Sequence, residues 1–217
     1  MGTITRSFAN NITTSGVLLP ASLNNNSIAN VTAYNAAIST GGIVLISTQT
    51  ASNSASISFT TGINSTYKEY QFYFINVAPR TDNTDFTFQG STDGGSNYGV
   101  AITSTAVRAH IDSVGTSDQI IYLTSNDLAQ STSFQLLNNG ASSDADDGTG
   151  GTLSLFNPAS TNYVKHWIYN NAYLGAGDAV MEGFYAGYFN TTTAINAVQF
   201  KFSSGNMDGT ILMYGIV

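Results

Sequence analysis

The sequence predicts an all-β fold, an antiparallel β-sandwich of the jelly-roll type, preceded by an extended N-terminal arm or stalk. From residue 41 onward, short runs rich in β-branched and aromatic residues alternate with Gly, Asn, Asp and Ser turns. No stretch after residue 40 keeps the period of about 3.6 residues that marks an amphipathic helix. The first 40 residues carry only scattered apolar residues. We therefore expect an arm over residues 1–40 and a β-sandwich domain over residues 41–217.

The arm has too few apolar residues to bury a core of its own. Its one apolar cluster consists of Val17, Leu18 and Leu19, and such a cluster suits docking on another surface. We expect this cluster to anchor the protein or to hold its copies together. The alternative is a disordered leader, in which Pro20 and the run of three asparagines at residues 24–26 would also be typical.

Twelve segments of the remaining chain have the composition of β-strands. A helical turn is expected only at residues 126–130, which is too short to form a helical layer. The twelve segments are residues 43–48, 55–60, 67–78, 84–89, 98–104, 118–124, 132–138, 151–157, 162–171, 182–189, 196–203 and 209–216.

The clearest alternation lies near the C-terminus. Three apolar residues, Val198, Phe200 and Phe202, alternate with Gln199 and Lys201. This alternation predicts a strand with one apolar face and one solvent-exposed face. Turn residues follow it, so we expect the chain to finish as a hairpin or a neighbouring strand pair that ties the C-terminus into the sheet.

Residues 67–78 carry aromatic side chains on one face, at Tyr70, Phe72 and Phe74. The other face is polar at first but ends in apolar residues, so the second half is expected to be buried on both sides. That pattern indicates a central strand or a subunit interface.

The chain is acidic but sparsely charged. Six basic residues stand against 13 acidic ones, for a net charge of −7, and charged residues make up only 9% of the 217. The basic residues occur singly, so we expect no nucleic-acid partner, because phosphate binding needs clustered cations. Neutral polar surfaces cost less to desolvate than charged ones, and the composition therefore favours packing against other proteins.

The sequence carries no sign of export or membrane insertion. There is no cysteine, and residues 1–9 lack the basic start and apolar run of a signal peptide. No stretch reaches the roughly 18 apolar residues that a membrane span needs. We expect neither a disulfide framework nor a membrane-inserted segment.

No motif for catalysis or cofactor binding is present. The sequence lacks a G-x-S-x-G elbow, and its glycine-rich loops lack the lysine of a phosphate-binding loop. Glu69 and Glu182 are the only glutamates, and no spacing singles out a catalytic pair of carboxylates. We expect a protein that is not an enzyme and needs no cofactor.

One acidic loop offers a weak candidate for a calcium site. Asp144, Asp146 and Asp147 place three carboxylates in four positions before Gly148, and such oxygen ligands suit Ca²⁺. The loop lacks the remaining ligands of an EF-hand, including its glutamate. We therefore expect a solvated loop, with calcium binding as the alternative.

Residues 162–171 are expected to form a strand with two different faces. His166 shares one face with Val164 and Ile168, and we expect that face to lie in the core or an interface, with His166 hydrogen-bonded rather than catalytic. The opposite face is expected to be an exposed aromatic patch that contacts a neighbouring subunit, with binding of sugar rings as the alternative. Its members are Tyr163, Lys165, Trp167 and Tyr169.

Nine short blocks of the chain carry a resemblance to a known family. They are ISTQTAS at residues 46–52, FTTGI at 59–63, STYKEY at 65–70, FTF at 86–88, DGGSNY at 93–98, LFNP at 155–158, VKH at 164–166, AGYFNTT at 186–192 and FSSGNMDGTI at 202–211. Together they resemble a virion-protein family of marine and cyanobacterial tailed phages. The resemblance covers residues 43–217 well and the arm less firmly, and it implies a head decoration or a fibre without assigning functional residues.

Composition, arm and resemblance together predict a non-enzymatic structural protein of a bacteriophage virion. We expect it on the particle surface as a homo-oligomer, a trimer, with the arm contacting other capsid or fibre proteins. The alternative is a receptor-binding tip module of a tail fibre that recognises glycans on the host surface.

Overall fold

The computed structural model describes residues 42–217 as twelve β-strands without a helix in that range. Each predicted segment overlaps one of these strands, so the all-β prediction is confirmed. No helix of this part is long and apolar enough to cross a membrane. The strands are β1 (Ile43–Ser54), β2 (Ile57–Phe59), β3 (Glu69–Pro79), β4 (Phe86–Ser91), β5 (Ile102–Asp112), β6 (Asp118–Tyr122), β7 (Gln135–Leu136), β8 (Thr149–Phe156), β9 (Lys165–Leu174), β10 (Ala179–Phe189), β11 (Ala197–Phe202) and β12 (Met207–Ile216).

The strands form two antiparallel sheets that pack as a sandwich. The large sheet has the order β1-β12-β3-β8-β9-β10-β5-β6, and the small sheet has the order β2-β11-β4-β7. The expected helical turn at residues 126–130 is wrong. The chain instead makes a single turn there, in which the Asn126 N–H donates to the Leu123 carbonyl at 3.0 Å.

The C-terminal strand confirms one expectation and corrects another. β12 is tied into the large sheet between β1 and β3. It does not form a hairpin with β11, because β11 belongs to the small sheet and the turn after Phe202 carries the chain across the sandwich. The alternation in β11 is as predicted: Val198, Phe200 and Phe202 are buried, whereas Gln199 and Lys201 are partly exposed.

β3 is the central strand that the sequence predicted, between β12 and β8. Its second half, however, is not buried on both faces, because Ile75 is 48% exposed. The pairing of β3 with β8 shifts between Phe74 and Val77, and Asn76 adopts a left-handed φ of 49°. This bulge adds one residue to the strand and turns Val77 into the core.

Gly209 makes this bulge possible from the neighbouring strand. It lies in β12 with a φ of 117°, and a Cβ atom at this position would stand 2.5 Å from the Asn76 carbonyl oxygen. We expect Gly209→Ala to lower the free energy of unfolding by about 1–3 kcal/mol, because the side chain would meet backbone and strain the residue's own conformation. Urea denaturation measures this loss. Gly99→Ala is the control, since its added carbon has open space. A loss at Gly209 no larger than at Gly99 contradicts the prediction.

Candidate functional site

Strand β9 presents its faces in the reverse of the expected orientation. Lys165, Trp167 and Tyr169 are fully buried, whereas His166 and Ile168 are exposed on the outer surface of the large sheet. The predicted exposed patch of Tyr163, Lys165, Trp167 and Tyr169 is therefore wrong for three of its four members. Tyr163 alone is exposed, at 70%. His166 does not lie in the core, which was one of the two positions expected for its face, and the other position, an interface, stays a prediction.

The buried face of β9 is aromatic, and its lysine is accommodated by hydrogen bonds. Trp167 packs edge-on against Phe88, with ring centroids 5.0 Å apart, and Tyr169 packs against Phe74 at 5.5 Å. Two such rings bury more apolar area than the opposite face would. Lys165 Nζ donates to the Tyr163 carbonyl at 2.7 Å and to a second carbonyl at 3.1 Å. Burial lowers the pKa of Lys165.

Three tyrosines of β9 and β10, Tyr169, Tyr173 and Tyr185, place hydroxyl groups in the core. The Tyr173 hydroxyl accepts from the Asn139 N–H and donates to the Asn139 carbonyl, both at 3.1 Å. The Tyr169 hydroxyl lies beside Asn171 but makes no hydrogen bond. Desolvation raises the pKa of Tyr169, Tyr173 and Tyr185. All three are buried, so this cluster is part of the core and does not form a site open to ligands.

The principal exposed feature is the outward-facing surface of β9, β10, β5 and β6, which we call the outer face. Its residues stand side by side because the four strands pair without a register shift. Its apolar members include Phe184, 46% exposed, Ile168, 47%, and Ile120, 81%. One rung crosses the four strands through Asn170, Phe184, Val107 and Tyr122, and the next crosses through Ala172, Glu182, Ala109 and Ile120.

The outer face has three shallow apolar hollows. The largest, about 440 Å³, lies between Ile168 and Tyr188 and is floored by Gly187. The others, about 380 and 240 Å³, lie beside Val180 and Phe184. A side chain at Gly187 would lie 2.5 Å from the Trp167 ring, so the glycine allows the indole to pack under the sheet. The face therefore offers both protruding side chains and hollows that side chains could fill.

Charge is nearly absent from the outer face. Glu182 is the charged residue among its central rungs, and Asp118 stands at its margin on β6. The only ion pair among residues 42–217 lies elsewhere, between Arg80 and Asp208 at 2.6 Å. The outer face thus has the properties of a protein contact and lacks those of a site for a charged ligand.

Sequence reasoning singled out the His166 and Ile168 face of β9 as core or interface but missed the extent of the outer face, for which β10 carries a signal. Val180, Phe184 and Tyr188 point outward, while Tyr185 and Phe189 point into the core. Apolar residues on both faces of one strand indicate either a central buried strand or a surface that another chain covers.

Among the described residues, the acidic loop does not bring its three carboxylates together as a ligand group. Asp144 and Asp146 are exposed to solvent and Asp147 is partly exposed. Within residues 42–217, no group of three or more His, Cys, Asp or Glu side chains is placed to hold a metal ion. Calcium binding by this loop stays a prediction, and the exposed carboxylates suit a solvated loop. Its carboxylates line a polar hollow of about 580 Å³ together with Arg80 and Asp208.

The two glutamates are too far apart to act as a catalytic pair. Glu69 lies on β3, where it accepts hydrogen bonds from Gln71 at 2.8 Å and Ser154 at 2.9 Å. Glu182 lies on β10, three strands away. At about 4.8 Å per strand, the component of their separation across the sheet is alone about 14 Å, beyond the roughly 5–9.5 Å of glycosidase carboxylates.

Comparisons with known proteins give no relative. No family model, curated protein or solved structure matches the chain. The predicted anchoring residues Val17, Leu18 and Leu19 lie outside the described residues. The functional argument therefore rests on the outer face and on the composition of the chain.

Proposed function

We propose that this chain is a non-enzymatic structural protein of a bacteriophage virion. It is displayed on the particle surface as a homo-oligomer, as a capsid decoration or a fibre component. The observation that carries the proposal is the apolar outer face. A sparsely charged, apolar surface on a folded domain favours a neighbour, because exposed apolar area is unfavourable in water.

The rest of the surface supports a role among packed proteins. Only 9% of the chain is charged. Where a carboxylate does occur, neutral donors can hold it: Asp93 accepts from Ser91 at 2.7 Å and from Asn97 at 2.7 Å, and these bonds lower the pKa of Asp93 to about 2. Few ionised groups would therefore have to be desolvated when such a surface packs against a neighbour.

The resemblance of nine sequence blocks to phage virion proteins gives the proposal its biological setting. Several of these blocks are structural in this chain. FTF at residues 86–88 supplies core residues of β4, and AGYFNTT at 186–192 ends β10. A likeness in such positions concerns the fold and its assembly, and it is consistent with a role in which no active site is needed.

The deciding experiment counts copies of the protein per particle by quantitative mass spectrometry of purified virions. A capsid decoration is expected in many copies, at a fixed ratio to the major capsid protein. A fibre component is expected in fewer copies, in multiples set by the fibre. Absence from purified virions would overturn the proposed function.

We expect deletion of residues 1–40 to leave the β-sandwich folded but to abolish incorporation into particles. The first strand of the described residues begins at Ile43, so the deletion removes none of the twelve strands given above. Burial of Val17, Leu18 and Leu19 against a neighbour would contribute on the order of 5 kcal/mol, enough to anchor a subunit. Circular dichroism of the truncated protein checks folding, and immunoblots of virions check incorporation. If the truncated protein is incorporated into virions in normal amounts, the prediction is wrong and the anchoring surface lies on the β-sandwich.

A receptor-binding tip is the second candidate, and Tyr163 favours it. This exposed ring borders a hollow of about 290 Å³ with Lys68, Asn157 and Asn162. An aromatic ring beside amide and hydroxyl groups is a common arrangement for binding sugars. The copy count separates a tip from a capsid decoration, because a tip is present in few copies. Binding of the isolated protein to host cells separates a tip from other fibre components.

A further inference from the structure

We infer that the outer face is the surface on which a second copy of this chain packs. The inference rests on the proposed homo-oligomer and names the contact that holds it together. The contact would be made by β9, β10, β5 and β6 and would bury Phe184, Ile168 and Ile120, which are exposed in the single chain.

The size of the outer face suits a stable contact between copies. β9, β10 and β5 contain 10, 11 and 11 residues, and β6 contains five. With about 3.3 Å per residue and about 4.8 Å per strand, the four strands cover about 600 Å² of flat area. Side chains raise the accessible area above that value, close to the roughly 800 Å² per partner of a standard interface.

The outer face has a polar border on one side. On the β3 and β8 side, Gln71 and Ser154 donate to Glu69, and the Tyr73 hydroxyl donates to Gln71 at 3.0 Å. On the other side, the edge strand β6 begins with the exposed Asp118 but stays apolar at Ile120. A polar border beside an apolar centre is typical of a specific protein contact.

A copy of the chain fits this surface better than a charged partner does. The central rungs hold Glu182 as their charged group, so the face has no cluster of charge that would attract a nucleic acid or a strongly charged protein. It carries protruding rings and aliphatic groups as well as hollows of about 240–440 Å³. A second copy would offer hollows for these protruding side chains and side chains for these hollows.

The test is the mass of the purified full-length chain by light scattering. We expect two or three times 22.8 kDa for the unaltered protein across a wide concentration range. Phe184→Glu and Ile168→Glu should each reduce the mass to that of one chain, because they bury a charge in the contact. Both positions are about half exposed, so the fold should survive, and circular dichroism confirms it.

Ile75→Glu is the matched control. Ile75 is 48% exposed on the same sheet but lies on β3, beyond β8, and its replacement should leave the oligomer intact. A monomeric unaltered chain would overturn the inference. So would an oligomer that withstands both outer-face changes, or one that Ile75→Glu dissociates equally.

A second measurement uses the absence of cysteine from the sequence. In the oligomer, a thiol introduced by Ile168→Cys should react with a maleimide at least about tenfold more slowly than one introduced by Ile75→Cys, because reactivity requires exposure. Equal rates in an oligomeric sample would place the contact elsewhere. That result would overturn this inference and leave the proposed function standing, whereas absence of the protein from virions would overturn the proposed function itself.

Discussion

Phe200→Ala is expected to lower the free energy of unfolding by about 3–5 kcal/mol, which is enough to leave a domain of ordinary stability partly unfolded. Phe200 is fully buried on β11 of the small sheet. Its ring centroid lies 5.1–6.4 Å from those of five other phenylalanines, and these come from both sheets. Removal of the ring opens a cavity that neither sheet can close alone. The five are Phe59, Phe72, Phe74, Phe86 and Phe88.

Phe134→Ala is the matched control for this change. The Phe134 ring is partly exposed, and its recognisable contact is the Lys201 ammonium group, 4.1 Å from the ring centroid. Its loss should cost about 1 kcal/mol. Urea denaturation of all three proteins at one concentration gives the comparison, since association would shift apparent stability with concentration. Similar losses at the two positions would show that Phe200 is not central to the core.

Stability is expected to fall steeply once the pH exceeds about 10, the ordinary pKa of tyrosine. Burial raises the pKa of Tyr169, Tyr173 and Tyr185 in the folded state. Above pH about 10 the unfolded chain releases these protons while the folded chain keeps them, so rising pH favours unfolding. Each group contributes about 1.4 kcal/mol per pH unit until its folded pKa is reached, and three together contribute about 4 kcal/mol per unit.

Lys165 acts in the opposite direction at lower pH. Because burial lowers its pKa, the folded chain loses this proton before the unfolded chain does, and stability rises until the pH reaches about 10.5. With rising pH, the free energy of unfolding should therefore stay constant or rise slightly before it falls. Denaturant unfolding at successive pH values measures the profile. Equal stability at pH about 9 and about 11.5 would contradict burial of the tyrosines.

Tyr169→Phe isolates one contribution to the alkaline loss. The Tyr169 hydroxyl makes no hydrogen bond, so its removal should leave stability near neutral pH almost unchanged. The alkaline slope should decrease by about 1.4 kcal/mol per pH unit. Tyr173→Phe is the contrast, because it deprives Asn139 of two hydrogen bonds and should cost about 1–3 kcal/mol at neutral pH.

Strand positions were predictable from the sequence, but the orientation of strands was predictable only where one face is unambiguous. In β11 every large apolar residue falls on one face, at Val198, Phe200 and Phe202, and that face is buried. In β9 both faces mix apolar and polar residues, and alternation alone does not say which face is inside. Sequence also cannot show that two carbonyls accept hydrogen bonds from the Lys165 ammonium group and so allow its burial.

The remaining errors concern features that depend on distant parts of the chain. The bulge that turns Val77 inward needs Gly209 in the neighbouring strand. The sequence around Asn76 does not predict this bulge. The outer face depends on four strands being neighbours, which the order of the strands in the sequence does not give. The sequence shows each of its residues but does not show that they are neighbours in space.

The position of β12 between β1 and β3 has a consequence for biosynthesis. β1 ends at Ser54 and β3 at Pro79, yet the strand that joins them begins only at Met207. Until the ribosome has delivered β12, β1 has no partner in the large sheet of the described residues, and β3 is paired on one side only. Folding must therefore follow translation of nearly the whole domain, and such distant pairings are slow, on the order of milliseconds to seconds. In that interval the unpaired edges of β1 and β3 are open to other nascent copies, so a high rate of synthesis would demand chaperones or would yield aggregates.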